Sequence, residues 1–288
     1  MKNLALVGGT GFIGQSISKK VHSNILVVSR KTEGQISKNP IILFDNFCHD
    51  YSHNQDYIFY LVNQVLPRSS TNNLDLDMMF NYEKKVLSNI IRSMSEKKTF
   101  VFFSSGGAVY GRSTGSPFKE NSLLQPISMY GKLKKMLESH CEDECKKHNI
   151  NLFIIRPSNP YGRLQRSMHQ GVITKFIRSI MANKDLTIYG DGKGSKDYIH
   201  VDDMIDILFR VLKNNQSGTF NIGSGYVYSL IDIITIIEKS VRKKSKIVFQ
   251  ESFEGDVKEF SLNIDRIKPF CQNINLSLEH NIYKLIQS

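Results

Sequence analysis

Leu4-Ala5-Leu6-Val7-Gly8-Gly9-Thr10-Gly11-Phe12-Ile13-Gly14 is the stretch from which the rest of the chain is read. Four apolar residues make a short buried strand. Gly8, Gly11 and Gly14 then fall where that strand should end and a helix over Gly11–His22 begin. Without Cβ atoms the backbone turns tightly and can approach a pyrophosphate, whose charge then meets unpaired N–H groups at the helix start. A glycine run alone is weak evidence and is equally a plain turn. Its place between strand and helix gives it weight.

Further along, short β-rich apolar runs alternate with helical patterns. Strands are expected at Asn3–Val7, Asn24–Ser29, Ile41–Phe44, Asp56–Val62, Thr99–Ser104 and Asn151–Arg156, with helices at Leu76–Ser95 and Ser128–His148. In the first of these helices Met78, Met79, Tyr82, Val86, Ile90 and Met94 recur at helical steps. This alternation predicts an α/β chain with a doubly wound parallel sheet. After Pro157 the pattern loosens into Gly-, Asn- and Pro-rich loops. A helix at Val172–Ala182, a strand Leu186–Tyr189, a helix Asp202–Leu212, a strand Thr219–Ile222 and a helix Ser229–Val241 follow, then a polar tail. The expected division is a dinucleotide-binding domain over 1–160 plus about 197–222, and a smaller α/β carboxy-terminal substrate lobe. That lobe, over about 161–196 and 223–288, is read as insertions made after the sixth strand.

Composition narrows the function. With 288 residues and 40% hydrophobic content the chain can build a sizeable core. Its longest apolar runs, such as Asn151-Leu152-Phe153-Ile154-Ile155, are too short to span a bilayer, and the amino terminus has no signal-peptide pattern. No membrane partner is expected. Cys48, Cys141, Cys145 and Cys271 form neither a disulfide framework nor a C-x-x-C, and no histidine pair completes a metal site; reduced thiols, no metal and a cytoplasmic location are expected. The net charge of +11 is spread over separate pairs such as Lys84-Lys85, Lys134-Lys135 and Lys243-Lys244, so nucleic acid is not the expected partner. An excess of positive charge suits a diphosphate-bearing small molecule.

Tyr130-Gly131-Lys132-Leu133-Lys134 places a tyrosine and a lysine on one helical face. A free phenol titrates near ~10. A nearby ammonium, or an oxidised nicotinamide ring, would favour the phenolate and make the tyrosine a usable acid or base near neutrality. The spacing arises often by chance and draws its meaning from the glycine run.

With these segments stand Ser104-Ser105-Gly106-Gly107-Ala108-Val109-Tyr110-Gly111, Arg156-Pro157-Ser158-Asn159-Pro160-Tyr161-Gly162, Tyr189-Gly190-Asp191-Gly192 and Asp197-Tyr198-Ile199-His200-Val201-Asp202-Asp203. Over nearly its whole length the chain resembles the extended short-chain dehydrogenase/reductases acting on nucleotide sugars, the NAD-dependent epimerase/dehydratase family. The resemblance implies a Rossmann domain whose cofactor contacts are Gly8, Thr10, Gly11, Phe12, Ile13, Gly14 and Pro157. Tyr130 would exchange a proton with a sugar hydroxyl or ketone oxygen, and Lys134 would hold the nicotinamide ribose and tune that tyrosine. Asn159 would reach the substrate diphosphate, and Ile188 and Tyr189 would lie against the nucleotide base. His200 and Asp202 look like packing or capping residues. The two long helices resemble those through which members pair, implying a homodimer.

Departures from the family pattern are more informative. Members usually carry a serine or threonine at the position of Gly106, bonded to the reacting oxygen; here Ser105 would have to reach in, or a water stand in. The second strand runs into Ser29-Arg30-Lys31 where NAD-preferring members have an aspartate. A hydroxyl and a guanidinium would bind a 2′-phosphate that a carboxylate repels, so NADP(H) is expected over NAD(H). Asp45 is placed by the resemblance near the adenine amino group, or is a strand-end turn. At the substrate diphosphate, two usual arginines are Lys196 and Phe253 here, leaving Arg163, Arg166 or Lys175 to supply charge. The expected function is NADPH-dependent reduction of a nucleotide-linked 4-keto(-6-deoxy) sugar for surface-polysaccharide synthesis. The alternatives are an NAD-dependent 4-epimerase of a UDP-hexose and a non-catalytic cofactor-binding protein. A dehydratase is disfavoured, because Gly107 and Ala108 stand where dehydratases carry an acidic pair.

Overall fold

A computed structural model describes residues 3–29, 39–43, 46–47, 50–63, 75–113, 115–165, 171–251 and 259–287. Its main sheet contains β1 (Asn3–Val7), β2 (Asn24–Ser29), β3 (Ile41–Leu43), β4 (Tyr57–Tyr60), β5 (Thr99–Phe103), β6 (Asn151–Pro157) and β10 (Gly218–Ile222). They lie in the order β3-β2-β1-β4-β5-β6-β10. The register is parallel on both sides of β1, with Leu4 opposite Ile25 and Tyr57. Strands covered on both faces need no polar alternation, and Leu4–Val7 and all of β5 are buried. The chain moves outward from β1 through β2 and β3, then crosses back to lay β4 on the other side of β1. That reversal is the doubly wound switch point, where the carboxyl ends of β1 and β4 diverge.

Among the described residues, helices α1 (Phe12–Lys20), α2 (Leu76–Ser93), the single turn α3 (Gly106–Val109) and α4 (Met129–Lys147) accompany these strands. The Asp75 carboxylate caps α2 by accepting from Asp77 N and Met78 N, and the Ser128 hydroxyl caps α4 by accepting from Gly131 N. From α2 come Leu87, Ile90 and Ile91, and from α4 Leu133, Leu137, Cys141 and Cys145. They join Ile58, Phe100, Phe102 and Ile154 in one core. Cys141 and Cys145 are thus packing residues, and burial pushes both thiols up.

One buried ion pair ties α4 to the sheet. Arg156, near the end of β6, donates from Nη2 to Glu138 at 2.6 Å and from Nε at 3.1 Å. Removing one partner of such a pair strands the other in a low dielectric. Glu138→Ala is expected to cost about 3–5 kcal/mol, read as a lower urea midpoint with an unchanged m-value.

The chain divides into two compact units. The first comprises Met1–Val109, Ser128–Arg156 and Asn215–Phe220; the second comprises Tyr110–Ile127, Pro157–Asn214 and Asn221–Ser288. Residues 110–127 and 197–214, left with the dinucleotide-binding residues by the sequence-based division, therefore group with the second unit. The second unit is also not made solely of insertions after the sixth strand, since 110–127 precede β6.

This unit holds β7 (Asn159–Tyr161), β8 (Leu186–Tyr189), β9 (Ser195–His200), β11 (Val227–Ser229) and β12 (Ile247–Gln250). Its helices are α5 (Val172–Met181), α6 (Val201–Lys213), α7 (Leu230–Val241) and α8 (Leu278–Gln287). β11-β9-β7 and β12-β8 form two small sheets. The segment read as a polar tail ends in α8, whose Leu278 and Ile282 enter the apolar core with Ile233 and Ile237. His200 does cap α6, accepting from Asp202 N through Nδ1. Among the described residues no helix is long and apolar enough to cross a membrane.

Candidate functional site

The glycine turn lies at the switch point of the first unit. At Gly14 the reason for glycine is packing, because a Cβ there would sit 2.4 Å from Gly9 Cα. At Gly11 it is not: a Cβ would meet nothing nearer than Gly8 O at 3.4 Å, and the residue is exposed. Gly11 is the N-cap of α1, supplies no side-chain cap, and no acidic residue follows in the first turn. The first N–H groups of α1 therefore face an open cradle with the positive end of the helix dipole. Exposed Thr10 and half-buried Phe12 and Ile13 border it. A dinucleotide pyrophosphate fits this cradle in charge and in space.

Ser29 closes β2, half-buried, opposite Leu43 on β3. Arg30, Lys31 and Asp45 lie outside the described residues, as do Cys48, Arg166 and Phe253.

The expected catalytic residues Tyr130, Lys134 and Ser105 come together. The first turns of α4 bury Tyr130 and Lys134. The Ser105 side chain stands near enough to the Tyr130 hydroxyl to favour its phenolate. Lys134 Nζ donates to Phe103 O at 2.9 Å and to Val62 O at 3.3 Å, reaching the carboxyl ends of β5 and β4. It lies 4.8 Å from the Phe102 ring centroid and 6.0 Å from that of Tyr130.

Burial pushes Tyr130 up to about 12, and the Ser105 side chain opposes that only in part. Burial also holds Lys134 down to about 8, against the pull of Glu83, Cys141 and Glu138. Desolvation wins because the ammonium is turned to main-chain carbonyls, which stabilise it without supplying a charge.

Sequence reasoning missed Ser104. Its Oγ is buried and has no hydrogen-bond partner among the described residues. A buried hydroxyl next to Ser105 with an unused bond is a natural contact for a bound group. The doubled serine was the only signal for it.

In the second unit, Asp197 is fully buried on β9 and accepts from Ser224 N and Oγ at 2.9 Å and from Gly225 N at 3.2 Å. Burial raises its carboxyl, and these bonds oppose the rise. Asn159 Nδ2 donates to Asp197 O at 2.7 Å, so the amide expected at the diphosphate is anchored to β9. Pro157 is buried at the end of β6, and Lys196 pairs opposite Tyr228 of β11. Alternation along β8 turns the Ile188 side chain into the apolar core, 1% exposed, while Tyr189 faces outward at 42%. Arg163 and Lys175 are exposed.

Comparison with known proteins agrees with this architecture. The family profile described as NAD dependent epimerase/dehydratase family matches residues 4–223. A dTDP-4-dehydro-6-deoxyglucose reductase from Escherichia coli is 31% identical over 100% of this chain and 98% of its own length. A putative UDP-glucose 4-epimerase from Methanocaldococcus jannaschii is 27% identical over 98% of this chain and 97% of its own. Among solved structures, the Thermus thermophilus UDP-glucose 4-epimerase in complex with NAD superposes with a TM-score of 0.86 at 19% identity, covering 100% of this chain and 98% of that one. At that identity the likeness concerns the fold.

Proposed function

We propose that this chain, which belongs to the NAD-dependent epimerase/dehydratase family, is an NADPH-dependent reductase of a nucleotide-linked 4-keto-6-deoxy sugar. The observation that carries the reading is the 31% identity to the E. coli reductase over nearly the full length of both chains. Burial pushes the Tyr130 phenol up, which suits a proton donor. Reducing a ketone needs a group already holding a proton, whereas an epimerase must begin by taking one from an alcohol. The full-length similarity to the E. coli reductase supports the same substrate class. Gly107 and Ala108 offer no carboxylate for an elimination.

A bound nicotinamide cofactor would supply the hydride. The cradle at Gly11 and the start of α1 would hold its pyrophosphate, and Lys134 and Ser104 would hold its nicotinamide end. Tyr130 gives its hydroxyl proton to the ketone oxygen, and Ser105 steadies the developing charge from the side where Gly106 has no hydroxyl. NADPH is preferred because β2 ends in Ser29 followed by Arg30 and Lys31, with no carboxylate to repel a 2′-phosphate. A cytoplasmic location goes with this reading. Exposed Met78 and Tyr82, one turn apart on α2, support pairing into a homodimer.

Two consequences are measurable. Ser105→Ala is expected to lower kcat by about 10²–10³-fold, and rescue by Ser105→Thr would tie the loss to the hydroxyl. Tyr130 should add no limb to the pH profile below about pH 12, where its proton stays in place. Lys134 is charged below about pH 8 and loses its proton above it, so kcat/KM should fall on the alkaline side from about pH 8.

The reading is tested by mixing the protein with NADPH and dTDP-, UDP- or GDP-linked 4-keto-6-deoxy sugars and following the reduced-nicotinamide absorbance. Loss of absorbance with one of them supports it. The second reading, an NAD-dependent 4-epimerase, draws on the similarity to the M. jannaschii protein and the epimerase fold. Interconversion of UDP-glucose and UDP-galactose without NADPH consumption would put it in place of the first.

A further inference from the structure

We propose that one end of the second unit docks onto an anionic phospholipid surface. Two turns far apart in sequence meet there. β8 and β12 run parallel with Leu186 opposite Ile247, and Leu186 N donates to Lys246 O at 2.8 Å, so the turns leading into these strands lie side by side. The turn after α5 carries Lys184 and Asp185. The last turn of α7 and the residues after it carry Glu238, Lys239, Arg242, Lys243, Lys244 and Lys246. Six bases thus stand with two acids at one end of the unit. Part of that charge serves the fold. Lys243 Nζ donates to Met181 O at 2.9 Å and caps α5, Lys244 pairs with Glu238 at 2.8 Å, and Lys246 pairs with Asp185 at 3.3 Å. α5 and α7 both end here, each adding about half a negative charge. Two carboxylates and two helix ends still leave about three positive charges unanswered. Lys184, Lys239 and Arg242 are exposed, and their side chains have no partner among the described residues.

Apolar side chains stand beside these bases. Met181, whose carbonyl Lys243 holds, is 50% exposed. On β12, exposed Val248 and Phe249 follow Lys246, with Phe249 at 55%. Lysines next to exposed apolar groups match a bilayer interface, where phosphates lie above hydrocarbon. The residue types favour lipid over an acidic protein. Five of the six bases are lysines, point charges that suit a diffuse anionic surface. Recognition of particular carboxylates favours the guanidinium fork, and lysine is depleted at protein interfaces. Met181 and Val248 suit hydrocarbon and offer no ring on which a nucleic acid base could stack. Among the described residues no helix is long and apolar enough to cross a bilayer, which limits spanning one and not docking to it. Docking of this kind is independent of the reaction catalysed.

Sedimentation of the full chain with lipid vesicles provides the test. The protein should partition onto vesicles of equal parts phosphatidylglycerol and phosphatidylcholine, stay off pure phosphatidylcholine, and leave the anionic vesicles as salt is raised. Lys184→Gln combined with Lys239→Gln removes two bases that hold nothing in the fold. Partitioning should weaken about thirtyfold, with an unchanged circular dichroism spectrum. Should the pair prove unstable, Lys184→Gln alone should weaken it about fivefold. Lys146→Gln combined with Lys147→Gln takes the same charge from exposed positions at the end of α4 and serves as the control. Its effect should stay below about threefold, because screening limits charges remote from the docked face. No partitioning at low salt, or an equal loss from both lysine pairs, would overturn the proposal. Capture by duplex DNA as tight as by vesicles at matched phosphate concentration would overturn it in favour of a nucleic acid.

Discussion

Tyr130→Phe is expected to lower kcat for ketone reduction by about 10²–10⁴-fold while leaving NADPH affinity and thermal stability near wild-type values. The ring is 6% exposed and packs with Leu133, Phe102 and Ile154, contacts that phenylalanine keeps. What disappears is the hydroxyl beside Ser105. Ser105 remains close enough to polarise the ketone oxygen, which sets a floor under the residual rate, but a serine hydroxyl is a far weaker acid. Steady-state kinetics, circular dichroism and a thermal melt on the same preparation measure all three quantities. A variant that turned over at the wild-type rate would remove Tyr130 from the chemistry.

A comparable effect is expected from Gly14→Ala, for a mechanical reason. The new Cβ would stand 2.4 Å from Gly9 Cα and 2.5 Å from Gly9 O, and main-chain atoms cannot rotate away as a side chain can. Either the turn or the start of α1 must shift, at a cost of about 1–3 kcal/mol or more. The shift displaces the N–H groups that form the anion cradle. NADPH affinity should therefore weaken at least about tenfold, with a lowered Tm. Gly11→Ala separates the two effects. Its Cβ has room within the protein, so Tm should hold, yet it projects over the cradle and should weaken NADPH binding all the same. Equal loss of stability in both variants would mean that Gly11, too, is kept for packing.

The amino-terminal half was readable because its elements rest on local rules. β1, β2, β5 and β6 are continuous runs of apolar residues, and the glycine turn depends on backbone sterics that the residue type declares. The second unit obeys rules of longer range. β7 and β11 are three-residue strands that exist only because β9 pairs with them, and Ser195–His200 has too many polar residues to show as a strand. α8 was missed because its apolar face is short and interrupted by Glu279, His280 and Lys284. For the site, residue types and spacing showed which side chains matter but not their surroundings. The Tyr130 and Lys134 spacing was visible; the burial that sets their protonation depends on α2 and the sheet. Ser105 was readable as a candidate substitute for the missing hydroxyl at Gly106, and it lies beside Tyr130. Glu83 and Tyr60 meet only after folding.

Transfer of label from the cofactor tests the central claim most directly. The protein would be incubated with NADPH deuterated at C4 of the transferred face and with the nucleotide-linked 4-keto-6-deoxy sugar that consumes NADPH, and the product examined by mass spectrometry and NMR. The predicted result is one deuterium per product molecule, bound to the former carbonyl carbon, with Tyr130→Phe forming the same labelled product far more slowly. Product containing no deuterium, or epimerised sugar formed with the NADPH intact, would contradict the account.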